Sequence, residues 1–499
     1  VPTSTPDALR DVSVIIVGAG FSGLGLGIQL RRRGETSFVI LERADDVGGS
    51  WRDNTYPGVA CDVPSPLYSY SFRTNPDWSR MFSPGQEIWD YLRAAAREEG
   101  LGPHLRFGAE MLEARWNEND HRWTVRTPQG EFYGDVLVAA TGHLTDIKLP
   151  EVPGLETFTG ELFHSARWNH DFPLAGKRIG VVGTGASAIQ IVPQLAEIAD
   201  QLVVFQRSAP YIQPRRDRVF SEAEKNLFRR DQRTVEEMRE MLFWYNDSRF
   251  AARRLIDDYL AEASWQALSH LDKQVSDPEL RAKLTPDYTI GCKRILLSDD
   301  YYPAIQRPNV HLEAAALERV EGSTAFSAVG EAFELDVLVV ATGFETYDLP
   351  SSYRIFGRGG NALADHWSNG MQAYKSIATA GFPNLFLLNG PGTSLGHNSV
   401  IYMIEAQIDH LLAALDWRSA HDGRVLEVSS DIENAFAKRL DEGAAETVII
   451  RGGCSSWYLD PRNGRATLSW PDFAHRFRDE CAPFDPAAYD HGEQSAARA

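Results

Sequence analysis

The stretch VSVIIVGAGFSGLGLGIQLRRRGETSFVILER, residues 12–43, decides the fold. Val12 to Val17 is an apolar run of strand length. Gly18, Gly20 and Gly23 follow in G-x-G-x-x-G spacing, an apolar helix pattern runs to about Gly34, and a second strand ends at Glu42. The first glycine makes a tight turn, the second admits a pyrophosphate, and the third lets helix and strand pack closely. The helix start then offers unpaired N–H groups and the positive end of a dipole to the phosphates. Glu42 lies 19 residues past Gly23, where a carboxylate can hydrogen-bond a ribose hydroxyl. A glycine motif alone would be weak, but strand, turn, helix, strand and acid all fall in order.

KRIGVVGTGASAIQIVPQLAEIADQLVVFQRSAP, residues 177–210, repeats the pattern. Gly183, Gly185 and Ala188 occupy the three glycine positions, with Thr184, Ser187 and Gln190 around them. This second unit ends at Gln206-Arg207-Ser208 and carries no acid there. A carboxylate would repel a 2'-phosphate and an arginine would pair with it, so the site is expected to take NADPH rather than NADH. Arg207 read by itself is equally an ordinary surface arginine. Two dinucleotide units in one chain imply FAD as resident cofactor at the first and NADPH as hydride donor at the second. The near-copies DVLVAATGH (135–143) and DVLVVATGF (336–344) read as the last strand of each unit.

The resulting fold class is α/β, with two Rossmann-like dinucleotide-binding domains and a helical insertion. The expected boundaries are 1–150 for the first part of the FAD domain and 151–214 for the first part of the NADPH domain. The insertion is expected over 215–289, the rest of the NADPH domain over 290–380, and the rest of the FAD domain with a C-terminal loop and tail over 381–499. Ser221 with Glu224 has the spacing of a capping box inside the insertion, and Arg229, Arg230 and Arg233 read as a solvated helix face. Residues 398–417 read as a long buried helix.

A chain of 499 residues exceeds one ordinary core. Its composition, 43% hydrophobic and 24% charged, is that of a soluble globular protein. The net charge of -19 argues against nucleic acid or an anionic membrane as a main partner. No apolar run reaches the roughly 18 residues a membrane helix needs. The start, VPTSTPDALRD, lacks a signal pattern, and it and the end, HGEQSAARA, read as disordered tails of a cytoplasmic protein. Cys61, Cys292, Cys454 and Cys481 have spacings that suit neither zinc nor a disulfide framework, so four separate reduced thiols are expected.

FTGELFHSARWN, residues 158–169, lies between the two glycine loops. By its residues it is a turn at Thr159-Gly160 with aromatic anchors. Its spacing, with Phe158, Gly160, His164 and Trp168, resembles the F-x-G-x-x-x-H-x-x-x-W fingerprint of Baeyer–Villiger monooxygenases, a branch of the class B flavoprotein monooxygenases. The match departs at Asn169, where that fingerprint has proline or aspartate. GGSWRDNTYPGVACD (48–62) fits a second pattern of the family through Gly48, Gly49, Trp51, Tyr56, Pro57, Gly58 and Asp62. KRILLSDDYY (293–302) and AGFPNLFLLNGPG (380–392) are similar to two further family segments, so the resemblance covers nearly the whole chain.

The resemblance implies insertion of one oxygen beside a ketone carbonyl through a flavin peroxide, giving an ester or lactone, with NADPH and dioxygen consumed. It implies that Arg294 is the cation beside the anionic oxygen, that Asp62 holds it, and that Lys293 approaches the NADP 2'-phosphate. Without that context Lys293-Arg294 is a surface pair and Asp62 an ordinary loop aspartate. Gly49, Trp51, Tyr68 and Asp62 are expected on the FAD side, and Ser208 on the NADPH side. Trp457 is expected on a loop closing over NADP+ and substrate, with a hydrophobic cluster pinning the tail as the alternative. Phe158, Gly160, His164 and Trp168 are implied to affect domain movement and cofactor handling in the linker. Aromatic-rich loops point to a small apolar ketone. Two alternatives stay open: oxidation of soft nitrogen or sulfur by a flavin monooxygenase, and an FAD/NADPH-dependent reductase. The second needs a redox cysteine pair near the flavin, and no C-x-x-C or C-x-x-x-x-C is present.

Overall fold

The computed structural model of the chain describes residues 9–490. The expected C-terminal tail lies outside them, as does the N-terminal one up to residue 8; Asp11 already opens the first strand. Two separate sheets carry the two glycine loops. The first runs in the order Ile355–Phe356, Glu113–Asn117, Arg122–Thr127, Gly130–Ala139, Asp11–Val17, Phe38–Leu41, Leu105–Arg106, with Leu385–Leu387 also paired to Gly130–Ala139. The second is wholly parallel: Val310–Glu313, Gln201–Phe205, Arg178–Val182, Val337–Val340, Glu161–His164. Buried on both faces, these strands read as the unbroken apolar runs seen in the sequence. The near-copies therefore sit alike, each parallel to the strand that opens its own glycine loop.

The chain crosses between the sheets twice, and the two crossings lie side by side. Ile147 bridges Phe344, the Lys148 amide donates to Gly343 O at 2.9 Å, and the Glu345 amide donates to Asp146 O at 2.8 Å. Lys148 and Glu345 add an ion pair at 3.1 Å.

The insertion is helical, and it belongs to neither domain alone. Its helix Glu222–Arg230 starts at the capping box of Ser221 and Glu224. Arg229 and Arg233 carry exposed ion pairs with Asp77 and Asp231. Phe220, Phe228, Val235 and Phe243 join the core of the first domain, where Arg239 donates to the carbonyls of Pro66, Leu67 and Ser69. Leu271 and Val275, later in the insertion, join the core of the second. The helix read over 398–417 forms as Val400–Ala420, capped by the Ser399 hydroxyl. Among the described residues no helix is long and apolar enough to cross a membrane.

Three expectations need correction. The fingerprint segment is more than a turn: Glu161–His164 is the edge strand of the second sheet, too short at four residues to show periodicity. The chain rejoins the first sheet at Ile355–Phe356, well before residue 381, through a two-residue strand that has no pattern to read. Cys292 and Cys454 are joined as a disulfide with Cα atoms 6.2 Å apart, across 162 residues of sequence, while Cys61 and Cys481 are free and buried. A pairing made by tertiary approach leaves no trace in cysteine spacing.

Candidate functional site

The first glycine loop is a slot without side chains. Gly18 has φ +109°, and a Cβ there would lie 2.4 Å from Ala140 O. A Cβ on Gly23 would lie 1.9 Å from Gly18 O, so the turn closes only around glycine. Gly49 comes up opposite, its would-be Cβ 3.2 Å from Gly20 Cα. The helix Phe21–Arg32 has no side-chain cap and no acid in its first turn, so its N–H groups remain open to a phosphate. This is a cradle that fits the pyrophosphate of FAD. Glu42 is 4% exposed and accepts from the amides of Ala19 (2.9 Å) and Ala44 (3.0 Å), with Arg52 paired at 3.1 Å. Those bonds leave acceptor capacity on the carboxylate. Trp51 Nε1 donates to the Tyr68 hydroxyl at 3.2 Å, and burial raises the Tyr68 pKa, keeping it protonated.

The second loop repeats the backbone in the open. Gly183 again has φ +109°, with Ala341 O 2.8 Å from its would-be Cβ, whereas a Cβ on Gly185 would meet nothing within 4 Å. Thr184 donates to Ser208 O at 3.1 Å, and Lys293 Nζ donates to Ser208 Oγ at 2.6 Å. Arg207 is exposed beside them. Burial, and after it the charge of Arg207, lowers the Lys293 pKa, so the two cations share one patch. This patch fits a 2'-phosphate. Gln190 points elsewhere: its Oε1 accepts from Tyr56 (3.0 Å) and its Nε2 donates to Ala60 O (2.9 Å). It is an interdomain fastener, and a Cβ on Gly58 would come 2.8 Å from its carbonyl, which explains the Tyr-Pro-Gly turn. Ser187 stands at the N-cap of the same helix and makes no capping bond.

An ion pair between Asp62 and Arg294 also joins the two domains. Arg294 Nε and Nη2 donate to Asp62 Oδ2 and Oδ1 at 2.8 and 2.7 Å, a bidentate contact spanning 232 residues of sequence. Asp62 is the largest influence holding the Arg294 pKa above its ordinary value. The side chain remains 25% exposed, donates Nη1 to Leu395 O at 3.4 Å, and lines a cavity shared with Asn246, Arg249, His397 and Asn398. Val63, Pro64, Ile295 and Leu297 supply its apolar wall. His397 is the one aromatic residue among those lining it, so the aromatic-rich loops from which an apolar ketone was expected do not form its wall.

The C-terminal loop reaches this place through Cys454, bonded to the residue just before Lys293-Arg294. Trp457 is 39% exposed and leans on Tyr458 at 4.3 Å between ring centroids. It is the buried Tyr458, 1% exposed, that approaches Arg294 and Arg253. Sequence reading missed Tyr458, Arg249, Arg253, His397 and Asn398. One signal was available: in RFAARRL, residues 249–255, the arginines at 249 and 253 flank an apolar stretch one helical turn apart.

The fingerprint residues gather at the edge of the second sheet. A Cβ on Gly160 would come 2.4 Å from Asp336 O, so only glycine lets the edge strand close on its neighbour. His164 is buried, its Nδ1 accepts from the Ala166 amide at 3.1 Å, and its ring meets Phe344 edge-on at 5.8 Å. Burial lowers its pKa to about 4, so it is neutral. Trp168 packs on Phe163 at 4.9 Å, and Phe158 packs on the domain core. Asn169 donates to Glu161 at 2.7 Å, spanning the strand it follows.

Residues 11–354 match the flavin-binding monooxygenase-like family. A Baeyer–Villiger monooxygenase of Streptomyces coelicolor is 46% identical over 96% of this chain and 92% of its own. The cyclohexanone monooxygenase of Rhodococcus sp. Phi1, solved bound to NADP+, superposes with a TM-score of 0.83 at 28% identity, covering 95% of this chain and 97% of that one. The OTEMO complex with FAD and NADP gives 0.82 at 26% identity over 94% and 97%.

Proposed function

The chain belongs to the flavin-binding monooxygenase-like family and within it to the Baeyer–Villiger monooxygenases, and from that premise we propose a division of labour among its residues. The reaction takes a ketone, dioxygen, NADPH and a proton, and returns an ester or lactone, water and NADP+. FAD and NADPH, when bound, supply the electron transfer and oxygen activation. Gly18, Gly20, Gly23 and Gly49 hold the FAD pyrophosphate, Glu42 its ribose, and Trp51 and Tyr68 flank it. Gly183, Gly185 and the helix start at Ser187 hold the NADPH pyrophosphate, while Arg207, Ser208 and Lys293 hold its 2'-phosphate. The fingerprint residues Phe158, Gly160, His164 and Trp168 brace the edge of the domain that must move against its partner. Trp457, on the loop tethered through Cys454, closes over NADP+ and substrate.

Arg294 does the work at the reacting carbon. A ketone that gains an oxygen nucleophile becomes a tetrahedral oxyanion, and a fixed guanidinium stabilises that charge more than it stabilises the neutral ketone. The single observation carrying this reading is the bidentate clasp of Asp62 on Arg294, which fixes the guanidinium at the cavity wall and leaves only Nη1, on a long bond to Leu395 O at 3.4 Å, to turn to a ligand. The substrate is a small ketone whose apolar body rests on Val63, Pro64, Ile295 and Leu297.

Arg294→Ala tests the assignment. Loss of such a donor costs about 3–4 kcal/mol of barrier. Ester formation should fall at least about 100-fold further than NADPH oxidation, with hydrogen peroxide released in place of ester. Asp62→Ala should move the same way and less far. Product analysis by mass with a peroxide assay reads both, and ester formed by Arg294→Ala at near the parent rate would remove the assignment.

A further inference from the structure

The cavity beside Arg294 holds more positive charge than its carboxylates match. Arg249 lines it, donating Nη2 only to the neutral Gln213 Oε1 at 2.8 Å. Arg253, one turn on, is 4% exposed; its Nη2 has no hydrogen-bond partner, its Nη1 donates to Gly291 O at 3.4 Å, and its guanidinium lies 5.7 Å from the Tyr458 ring centroid. Its guanidinium packs against Gly396, which lines the cavity and whose would-be Cβ would come 1.8 Å from Nη2. Among the described residues neither arginine forms an ion pair.

The nearby acids are committed. Asp62 is engaged by Arg294 through both oxygens. Asp247 accepts from the Ala474 amide at 2.8 Å and Asn398 at 3.2 Å, and meets His475 at 2.7 Å and His397 at 3.4 Å. His397 itself is neutral, its pKa lowered to about 4 by burial, partly countered by Asp247 and reinforced by Arg253 and Arg249. Both arginines have pKa values lowered chiefly by burial. A guanidinium kept from water without a counter-charge is costly, and a ligand that brings one recovers that cost.

We propose that Arg249 is a specificity residue that pairs with a carboxylate on the ketone substrate, so that the enzyme prefers oxo-carboxylates over neutral ketones. The inference rests on the monooxygenase reading above and deepens it. A carboxylate is the anion that one planar guanidinium matches with two parallel bonds. Arg249 lines the same cavity as Arg294, so carbonyl and carboxylate each have a cation. Arg253, shut behind Gly396, adds field without touching the ligand. NADPH phosphates have their own cations at Arg207 and Lys293, on the patch around Ser208.

The test compares levulinate with methyl levulinate, the same methyl ketone with and without the charge. With FAD-loaded enzyme the ratio of kcat/KM, acid over ester, should be about tenfold or more. Arg249→Gln should lower that ratio about tenfold, mainly through KM, and Arg249→Lys should keep part of it. Calorimetric binding of levulinate to the FAD- and NADP+-loaded protein should show the same order without turnover, with flavin content confirming that each variant is folded. Oxygenation of the ester with no preference for the acid, or a preference that survives Arg249→Gln, overturns the inference and leaves the monooxygenase reading intact. Oxygenation of no ketone overturns that reading instead, and the binding order then decides the carboxylate site by itself.

Discussion

At Gly18 in the first loop and Gly183 in the second, φ is +109°, and in both the room a Cβ would need is held by an alanine carbonyl, Ala140 or Ala341. From there the loops part. In the first, Ala19, Phe21, Ser22 and Gly23 are buried, and so are most residues of the helix that follows. In the second, Gly185 and Ala186 are exposed, and the helix begins only at Ala188. The strand after the first loop leads to a buried carboxylate, Glu42, and the strand after the second to an exposed arginine, Arg207. One backbone device thus serves two purposes. A loop walled in by its own fold suits a cofactor that stays, and an open one suits a cofactor that must enter and leave each cycle. That difference supports the assignment of FAD to the first and NADPH to the second.

The strongest way to break the comparison is at the third glycine position. Gly23→Ala drives a methyl to within 1.9 Å of Gly18 O, which is backbone and cannot turn aside. The protein should lose most of its flavin, read from the ratio of visible to ultraviolet absorbance. The reverse change in the other loop, Ala188→Gly, should cost no more than about 1 kcal/mol of stability. Equal flavin content in Gly23→Ala and the parent would mean the two loops are interchangeable.

Next in size is the phosphate patch. Arg207→Ala removes a charge-assisted contact worth about 1.5–3 kcal/mol, a change of roughly 10–100-fold in KM for NADPH. KM for NADH should change far less, and flavin content not at all. Parallel changes for the two nicotinamide cofactors would return Arg207 to an ordinary surface residue.

The smallest effect concerns pH. His143 in the first domain and His164 in the second are buried neutral, each with its pKa lowered to about 4 by burial, as are His397 and His410. In the unfolded chain each returns to about 6.5 and binds a proton that the folded state refuses. Their contribution to stability is therefore present above about pH 6.5 and is lost as pH falls toward 4. The unfolding temperature should drop between about pH 7.5 and pH 5.5, and His143→Gln should flatten that slope. An unchanged slope in this variant would show that His143 already titrates normally in the fold.

Much of this was legible because it is local. A strand, a tight turn and a helix start are made by contiguous residues, so glycine spacing and apolar runs announced both nucleotide loops. The acid at Glu42 and the arginine at Arg207 could be read from their distance along the chain. The capping box at Ser221 and Glu224 was equally plain, since both partners lie within one turn. The clasp of Asp62 on Arg294 was reached only through resemblance, because nothing in the chain between two residues 232 positions apart says that they meet.

What the sequence determined, then, were the elements whose partners are neighbours in the chain: two dinucleotide units, their order, and the helical character of the insertion. The tertiary structure decided what approaches from far away. It joined Cys292 to Cys454, fastened Gln190 to Tyr56 and Ala60 of the other domain, and made the fingerprint the edge of a sheet. It also carried Arg249 out of a charged helical insertion and into the cavity beside Arg294, with Arg253 packed behind Gly396. Periodicity reports which face of an element avoids water, but not which other element will cover that face. Charge pairing and cavity lining depend on the second question, and only the packed fold answers it.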